Sequence, residues 1–162
     1  MTMKRLLVLS DTHMSDPAQL PNSLLRAADE CDRIIHCGDI TSPHVITALQ
    51  ACDPPLSYVL GNVDDPHEFK DAKKVLLLEI CGMKVGVVHG VNASKGPLGI
   101  LSEFPERPDI VFHGHTHRKS ISYFEDTVLI NPGSVRKPKD KVRSYAVVEI
   151  AAGEVKPKFV AC

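Results

Sequence analysis

Seven side chains able to bind cations or move protons fall in short blocks along the chain: Asp11-Thr12-His13, Gly38-Asp39, Gly61-Asn62, His89-Gly90 and Gly114-His115-Thr116-His117. Two carboxylates, one amide and four imidazoles crowded together are costly to desolvate unless an opposite charge compensates them. Divalent cations do so, because carboxylate, amide and neutral imidazole are all metal ligands. Seven ligands exceed one tetrahedral site and suit two adjacent ions that share a carboxylate. Taken singly, each block has a plainer reading. Asp11-Thr12-His13 alone reads as a cap or turn, Gly38-Asp39 and Gly61-Asn62 as turn dipeptides, and His89 as a hydrogen-bonded strand-end histidine. Gly-His-Thr-His is more pointed, since two histidines two apart after a strand seldom have a packing reason.

What makes the set coherent is where the blocks fall. Short β-branched or Leu-rich runs predict strands at 6–9, 33–37, 57–60, 75–80, 84–89, 110–113, 120–124, 128–130, 144–150 and 154–160. The first three are nearly all apolar, as expected of strands buried on both faces. Helical patterns occupy 21–30 and 43–51, with a short helix expected over 97–104. Cys81-Gly82 and Asp126 mark hairpin turns. The front half therefore reads as βαβαβ and the back half as largely meander, which two packed sheets flanked by helices accommodate. Five of the strands end in a donor, and the carboxyl ends of parallel strands lie along one rim, where ligands bind.

Composition excludes several function classes. With 19 Lys plus Arg against 20 Asp plus Glu, the formal charge of −1 leaves no dominant surface for nucleic acid or anionic lipid. The 162 residues suit one domain, 1–162, with no cap domain. Five cysteines without a C-x-x-C pair fit a reduced, cytoplasmic protein. The Lys4-Arg5 and Leu6-Leu7-Val8-Leu9 start has too short an apolar run for a signal peptide, and no run approaches the roughly 20 residues of a membrane span. No phosphate-binding loop, serine-hydrolase elbow or zinc-finger spacing occurs.

In order and spacing these blocks, with Gly61-Asn62-Val63-Asp64 and Asn131-Pro132-Gly133-Ser134, resemble the calcineurin-like metallophosphoesterase superfamily over residues 11–134. The resemblance is strongest to its small prokaryotic phosphodiesterases. It implies a four-layer αββα sandwich of two mixed sheets, and a dinuclear phosphodiesterase in which a metal-bridging hydroxide attacks phosphorus in line. One ion would be held by Asp11, His13, Asp39 and His117. The other would be held by Asp39, Asn62, His89 and His115, with Asp39 bridging. Asp39, Asn62 and His115 are the residues placed closest to the chemistry. The N/O donor set puts Mn2+ first among candidate ions, with Zn2+, Fe, Co2+ or Ni2+ as alternatives. The substrate expected is a small phosphate ester, with no specific nucleic acid and no membrane; the resemblance also implies a homo-oligomer.

There is one departure. Many members carry a proton-donating His directly after the Asn, and Val63 stands there. A missing general acid costs roughly 10²–10⁴-fold on poor leaving groups, so esters with acidic, aryl-like leaving groups are the expected substrates. His67 is a candidate substitute acid. Asp64 is expected to orient the Asn62 loop or a ligand by hydrogen bonding. Lys95 and Arg136 are candidate phosphate contacts, although solvated loop charges explain both. His36 and His113 read as satisfied strand histidines and His44 as a surface residue. Asn131-Pro132-Gly133-Ser134 is first a turn, whose backbone could steady His115 or His117. The alternative function is a non-catalytic scaffold on the same fold, like the related subunit of the retromer coat. Such a scaffold has no need to keep all seven donors.

Overall fold

A computed structural model describes residues 2–162. The chain builds two five-stranded sheets. Strands β1 (Lys4–Leu9), β2 (Arg33–His36) and β3 (Leu56–Tyr58) pair in parallel, joined by helices α1 (Asn22–Asp29) and α2 (Pro43–Gln50). This is the expected βαβαβ front half. Parallel neighbours need such crossovers, which a helix supplies. Ser42 caps α2 by accepting the His44 N–H at 3.2 Å, with Pro43 at the first position, where its missing N–H costs nothing.

The back half departs from the expected meander. Strands β4 (Val75–Ile80) and β5 (Met83–Val88) form a hairpin, and Cys81 and Gly82 both take left-handed φ at its turn, 53° and 74°. After helix α3 (Gly96–Leu101), however, β6 (Ile110–Phe112) enters parallel to β5. Strand β8 (Thr127–Asn131) then pairs parallel with β6, leaving β7 (Ser120–Phe124) at the edge; the second sheet runs β4-β5-β6-β8-β7. The last hairpin, β9 (Ser144–Ala151) with β10 (Glu154–Ala161), returns to the first sheet, where β9 pairs antiparallel with β1. That sheet runs β10-β9-β1-β2-β3. Local periodicity marks a strand without naming its neighbour, so a return of this kind is invisible in it.

Three apolar layers hold the sandwich together. Leu6, Val8, Ile35, Val87, Ile110, Phe112 and Val148 fill the space between the sheets. Alternate residues of the same strands, Leu7, Leu9 and Ile34, meet Leu24, Ala28, Val45 and Leu49 of α1 and α2. On the far side Val88, Val111 and Leu129 pack with Ile100 and Phe104. The four layers are α, β, β, α, as expected. Two elements are shorter than their patterns. The third strand runs to Tyr58; Val59 N–H still donates to the His36 carbonyl at 3.1 Å, while Val59 also bridges to Lys73 and Leu60 N–H turns to the Lys73 carbonyl, and α3 ends at Leu101, leaving Phe104 buried beyond it. No helix among the described residues is long and apolar enough to cross a membrane.

Candidate metal centre

The carboxyl ends of β1, β2, β3, β5 and β6 open onto one rim, and backbone bonds tie the following loops together. Asp11 N–H donates to the Gly38 carbonyl at 3.0 Å, His13 N–H to Asp39 at 3.1 Å, and Gly114 N–H to His89 at 2.9 Å. These turns are tight. Five of the seven donor residues, Asp11, His13, Asp39, His115 and His117, hold left-handed φ between 41° and 70°. Such a conformation costs about 1–3 kcal/mol per non-glycine residue and persists only where surrounding structure enforces it, typically at functional sites. Glycine is required at position 114 by space, since a Cβ there would lie 1.9 Å from Ser10 Oγ and 2.6 Å from Asp11 Oδ2.

All seven donors meet. Asp39 Oδ2 stands 3.4 Å from His13 Nε2 and 3.2 Å from His89 Nε2. His117 Nε2 lies 3.2 Å from Asp11 Oδ1 and 3.3 Å from His13 Nε2. His115 Nδ1 lies 3.3 Å from His89 Nε2 and 3.1 Å from Asn62 Oδ1. Donor atoms of Asp11, His13, Asp39 and His117 fall within 4.8 Å of one another. Asp11, Asp39 and His89 are buried, whereas Asn62 is exposed.

The surrounding residues fix which atom each donor presents. His89 Nδ1 pairs with the Cys37 carbonyl at 2.8 Å and His117 Nδ1 with the Lys137 carbonyl at 2.7 Å. A carbonyl only accepts, so both Nδ1 atoms carry the proton and both Nε2 lone pairs face the centre. Asp11 Oδ2 accepts from Ser10 Oγ at 2.7 Å and from the His115 N–H at 3.1 Å. Its other oxygen, Oδ1, is buried with no hydrogen-bond partner. An orphaned anionic oxygen facing imidazole lone pairs is the environment a divalent cation satisfies. Burial alone would raise the Asp11 carboxyl, but His117, His13, His89 and Ser10 outweigh it and hold the group far below the usual carboxylate range. Asp39 shows the same balance, with burial opposed chiefly by His89. In return, burial pulls His89 down while Asp39 and Asp11 push it above its ordinary value; for His117 the contact with Asp11 is the largest cause of its rise. The centre thus draws positive charge, and its donor set fits divalent ions.

The flanking candidates divide. Asp64 is a brace: Oδ1 accepts the Ile40 and Thr41 N–H groups and Oδ2 that of Gly61, all at 2.8 Å, locking the Asp39 loop to the Asn62 loop. Arg136 is not a solvated loop charge, because its Nη1 donates to the His13 carbonyl at 2.6 Å. His67 and Lys95 are exposed, and the ring of His67 takes no part in the hydrogen bonds of the cluster. His44 is exposed, as expected. His36 is satisfied, between Thr12 Oγ1 and the Gly38 N–H, both at 3.1 Å, and burial pushes it down to about 3. His113 is not satisfied: both ring nitrogens are buried without partners, and burial lowers it to about 4.

Sequence reasoning missed how the last block works. Its side chains, more than its backbone, steady the site. Asn131 Nδ2 donates to the Gly114 carbonyl and Thr116 Oγ1, both at 2.9 Å, and Ser134 Oγ donates to the Asp11 carbonyl at 2.8 Å. The bracing roles of Ser10 and Thr12 were missed, although small polar residues buried at the end of an apolar strand are a usable signal.

Known proteins resemble the chain over most of its length. The family model described as calcineurin-like phosphoesterase superfamily domain matches residues 3–153. A probable metallophosphoesterase of Methanothermobacter thermautotrophicus is 35% identical over 146 residues, covering 88% of this chain and 84% of its own. Phosphodiesterase MJ0936 of Methanocaldococcus jannaschii is 29% identical over 143 residues, covering 78% and 81%. Among solved structures, a predicted phosphoesterase of Streptococcus pneumoniae superposes with TM-score 0.79 at 25% identity, covering 99% and 91%. Vps29 of Chaetomium thermophilum superposes equally well, 0.79 over 98% and 95%, at 18% identity, a likeness of fold alone. With a sandwich, a rim of donors and a family match spanning nearly all of it, the chain belongs to the calcineurin-like phosphoesterase superfamily.

Proposed function

We propose that the protein is a dinuclear metal-dependent phosphodiesterase acting on small phosphate esters. One observation supports the reading most: Asp39 Oδ2 lies 3.4 Å from His13 Nε2 and 3.2 Å from His89 Nε2, as a carboxylate shared between two ligand sets would. Asp11, His13, Asp39 and His117 would hold one cation; Asp39, Asn62, His89 and His115 would hold the other. Bound there, two divalent ions supply Lewis-acid pull on phosphate oxygens and an acidified water nucleophile. Mn2+ is the first choice for this oxygen and nitrogen set, ahead of Zn2+, Fe, Co2+ and Ni2+.

The chain's own residues do the positioning. Asp11 and Asp39 stay ionised, His89 and His117 donate their Nδ1 protons to carbonyls and keep their Nε2 lone pairs inward, and Asp64 holds the two loops in register. Val63, 49% exposed at the rim, has no proton to give a departing oxygen. Substrates with acidic leaving groups therefore react fastest, and alkyl monoesters slowly. A cytoplasmic site of action suits the five unpaired cysteines. The second reading, a non-catalytic scaffold, has the fold likeness to Vps29 in its favour.

Metal content measured together with hydrolysis of bis(p-nitrophenyl) phosphate separates them. Two ions per chain and turnover in the wild type, with turnover lost by on the order of 10³-fold in Asp39→Asn, is the enzyme's result. A metal-loaded wild type that leaves the ester intact is the scaffold's.

A further inference from the structure

Beside Asn62 and His89 lies a cavity of about 130 Å3 whose largely apolar wall also includes Leu60, Val91, Lys74 and Glu103. Val91 is 45% exposed, so the slot reaches solvent. Its two charged residues differ. Glu103 is engaged, its Oε1 accepting from the Asn92 N–H at 3.2 Å and Asn92 Nδ2 at 3.4 Å. Lys74 is exposed, and the ion pairs among the described residues do not include it. Its place beside the site is fixed by the backbone, because Leu60 N–H donates to the Lys73 carbonyl at 2.9 Å and Val59 bridges to Lys73. A second cavity, about 220 Å3, lies at the other end of the strands, lined by Lys4, Asp32, Arg33 and Glu79; its Lys4 and Asp32 are already paired at 3.0 Å.

An apolar cavity of roughly 150 Å3 binds benzene; the slot beside the donors, at about 130 Å3, is of that size and opens to solvent, so it suits one ring-sized group. With Val63 unable to donate a proton, the oxygen leaving phosphorus needs its charge neutralised by something else. We infer that this slot receives the leaving group, a ring-sized aryl alcohol, and that the Lys74 ammonium offsets the negative charge developing on its oxygen. This rests on the phosphodiesterase reading above and names the substrate class for it. Water oxygen bonds to phosphorus and the P–O bond to the aryl group breaks, its electron pair staying on the departing oxygen. The proton released by water reaches that oxygen through solvent. Lys74 acts by charge and keeps its proton.

The test uses the Mn2+-loaded protein with methyl 4-nitrophenyl phosphate and methyl phenyl phosphate, which share a non-leaving group. Val91→Trp fills the slot from an exposed position. It raises KM for both esters about tenfold and weakens equilibrium binding of phenylphosphonate comparably, with metal content unchanged. Lys74→Met leaves metal content and KM near wild type and lowers kcat, about tenfold more for the phenyl than for the nitrophenyl ester, because the poorer leaving oxygen carries more charge. Unchanged KM and phosphonate binding in Val91→Trp overturn the pocket assignment. Equal effects of Lys74→Met on the two esters overturn the role of Lys74. In both cases a wild type that outpaces Asp39→Asn keeps the phosphodiesterase reading standing. A wild type no faster than Asp39→Asn on either ester overturns that reading, and this inference with it.

Discussion

The two halves of the donor cluster are built differently. Around Asp11 and His117 the atoms behind the ligand face are braced: the Asp11 carbonyl takes Ser134, its Oδ2 takes Ser10 and the His115 N–H, and His117 is set by Lys137. In the other set His89 is also buried and bonded to the Cys37 carbonyl, but around Asn62 the bracing thins. Asn62 is exposed, its amide oxygen meets only the ring of His115 at 3.1 Å, and exposed Val63 and the apolar slot adjoin it. A braced half favours retention of an ion, because its ligands lose little freedom on binding. An open half favours exchange and access for substrate. In the proposed enzyme, the first set anchors and the second meets the ester.

The comparison breaks or sharpens by mutation. The largest effect belongs to the braced half: His117→Ala lowers Mn2+ affinity there by about 100-fold, whereas Asn62→Ala lowers the second affinity by about tenfold and leaves the first ion in place. Titration calorimetry of both variants decides this, and equal losses would erase the distinction. Next, Gly114→Ala drives a Cβ against Ser10 Oγ and Asp11 Oδ2 and costs about 1–3 kcal/mol of stability by denaturant unfolding. An unchanged midpoint would show that the braced half yields easily. Asp64→Asn turns one of two accepting oxygens into a donor facing an N–H group; it costs about 1–2 kcal/mol and loosens the Asn62 loop in hydrogen exchange.

The smallest effect at neutral pH is a titration behind the braced half. His36 is held neutral, its value pushed down to about 3 by burial. The unfolded chain takes up a proton near the ordinary histidine value of about 6.5 that the fold refuses, so stability is lost as pH falls from there toward 3. Metal-free protein should melt progressively lower across that window, and His36→Gln should flatten the slope. Parallel curves for the two would remove His36 from the account.

Much of this was legible in the residues. Asp11-Thr12-His13 after an apolar run, or Gly-His-Thr-His after another, announces donors at strand ends whatever the partners are. The hairpin at Cys81-Gly82 was equally plain, because a Gly between two strand-like runs supplies a residue that takes the left-handed conformation such a turn needs. The antiparallel docking of β9 on β1 was not legible, since a run with period two looks alike beside any neighbour. Nor was the end of the third strand at Tyr58, beyond which Val59 bridges to Lys73. The orphaned ring nitrogens of His113 likewise appear only once its surroundings are packed.

The sequence by itself determined the kind of chemistry, through donor types and their places at strand ends, together with the alternation that makes two-sided strands and a layered fold. Tertiary structure alone decided which donors share a centre, which imidazole nitrogen faces inward, and that Ser134 holds Asp11 from 123 residues away. Periodicity and turn chemistry act over a few neighbouring residues. A site assembled from five strand ends, and a slot walled by residues from 60 to 103, exist only after the two sheets have packed.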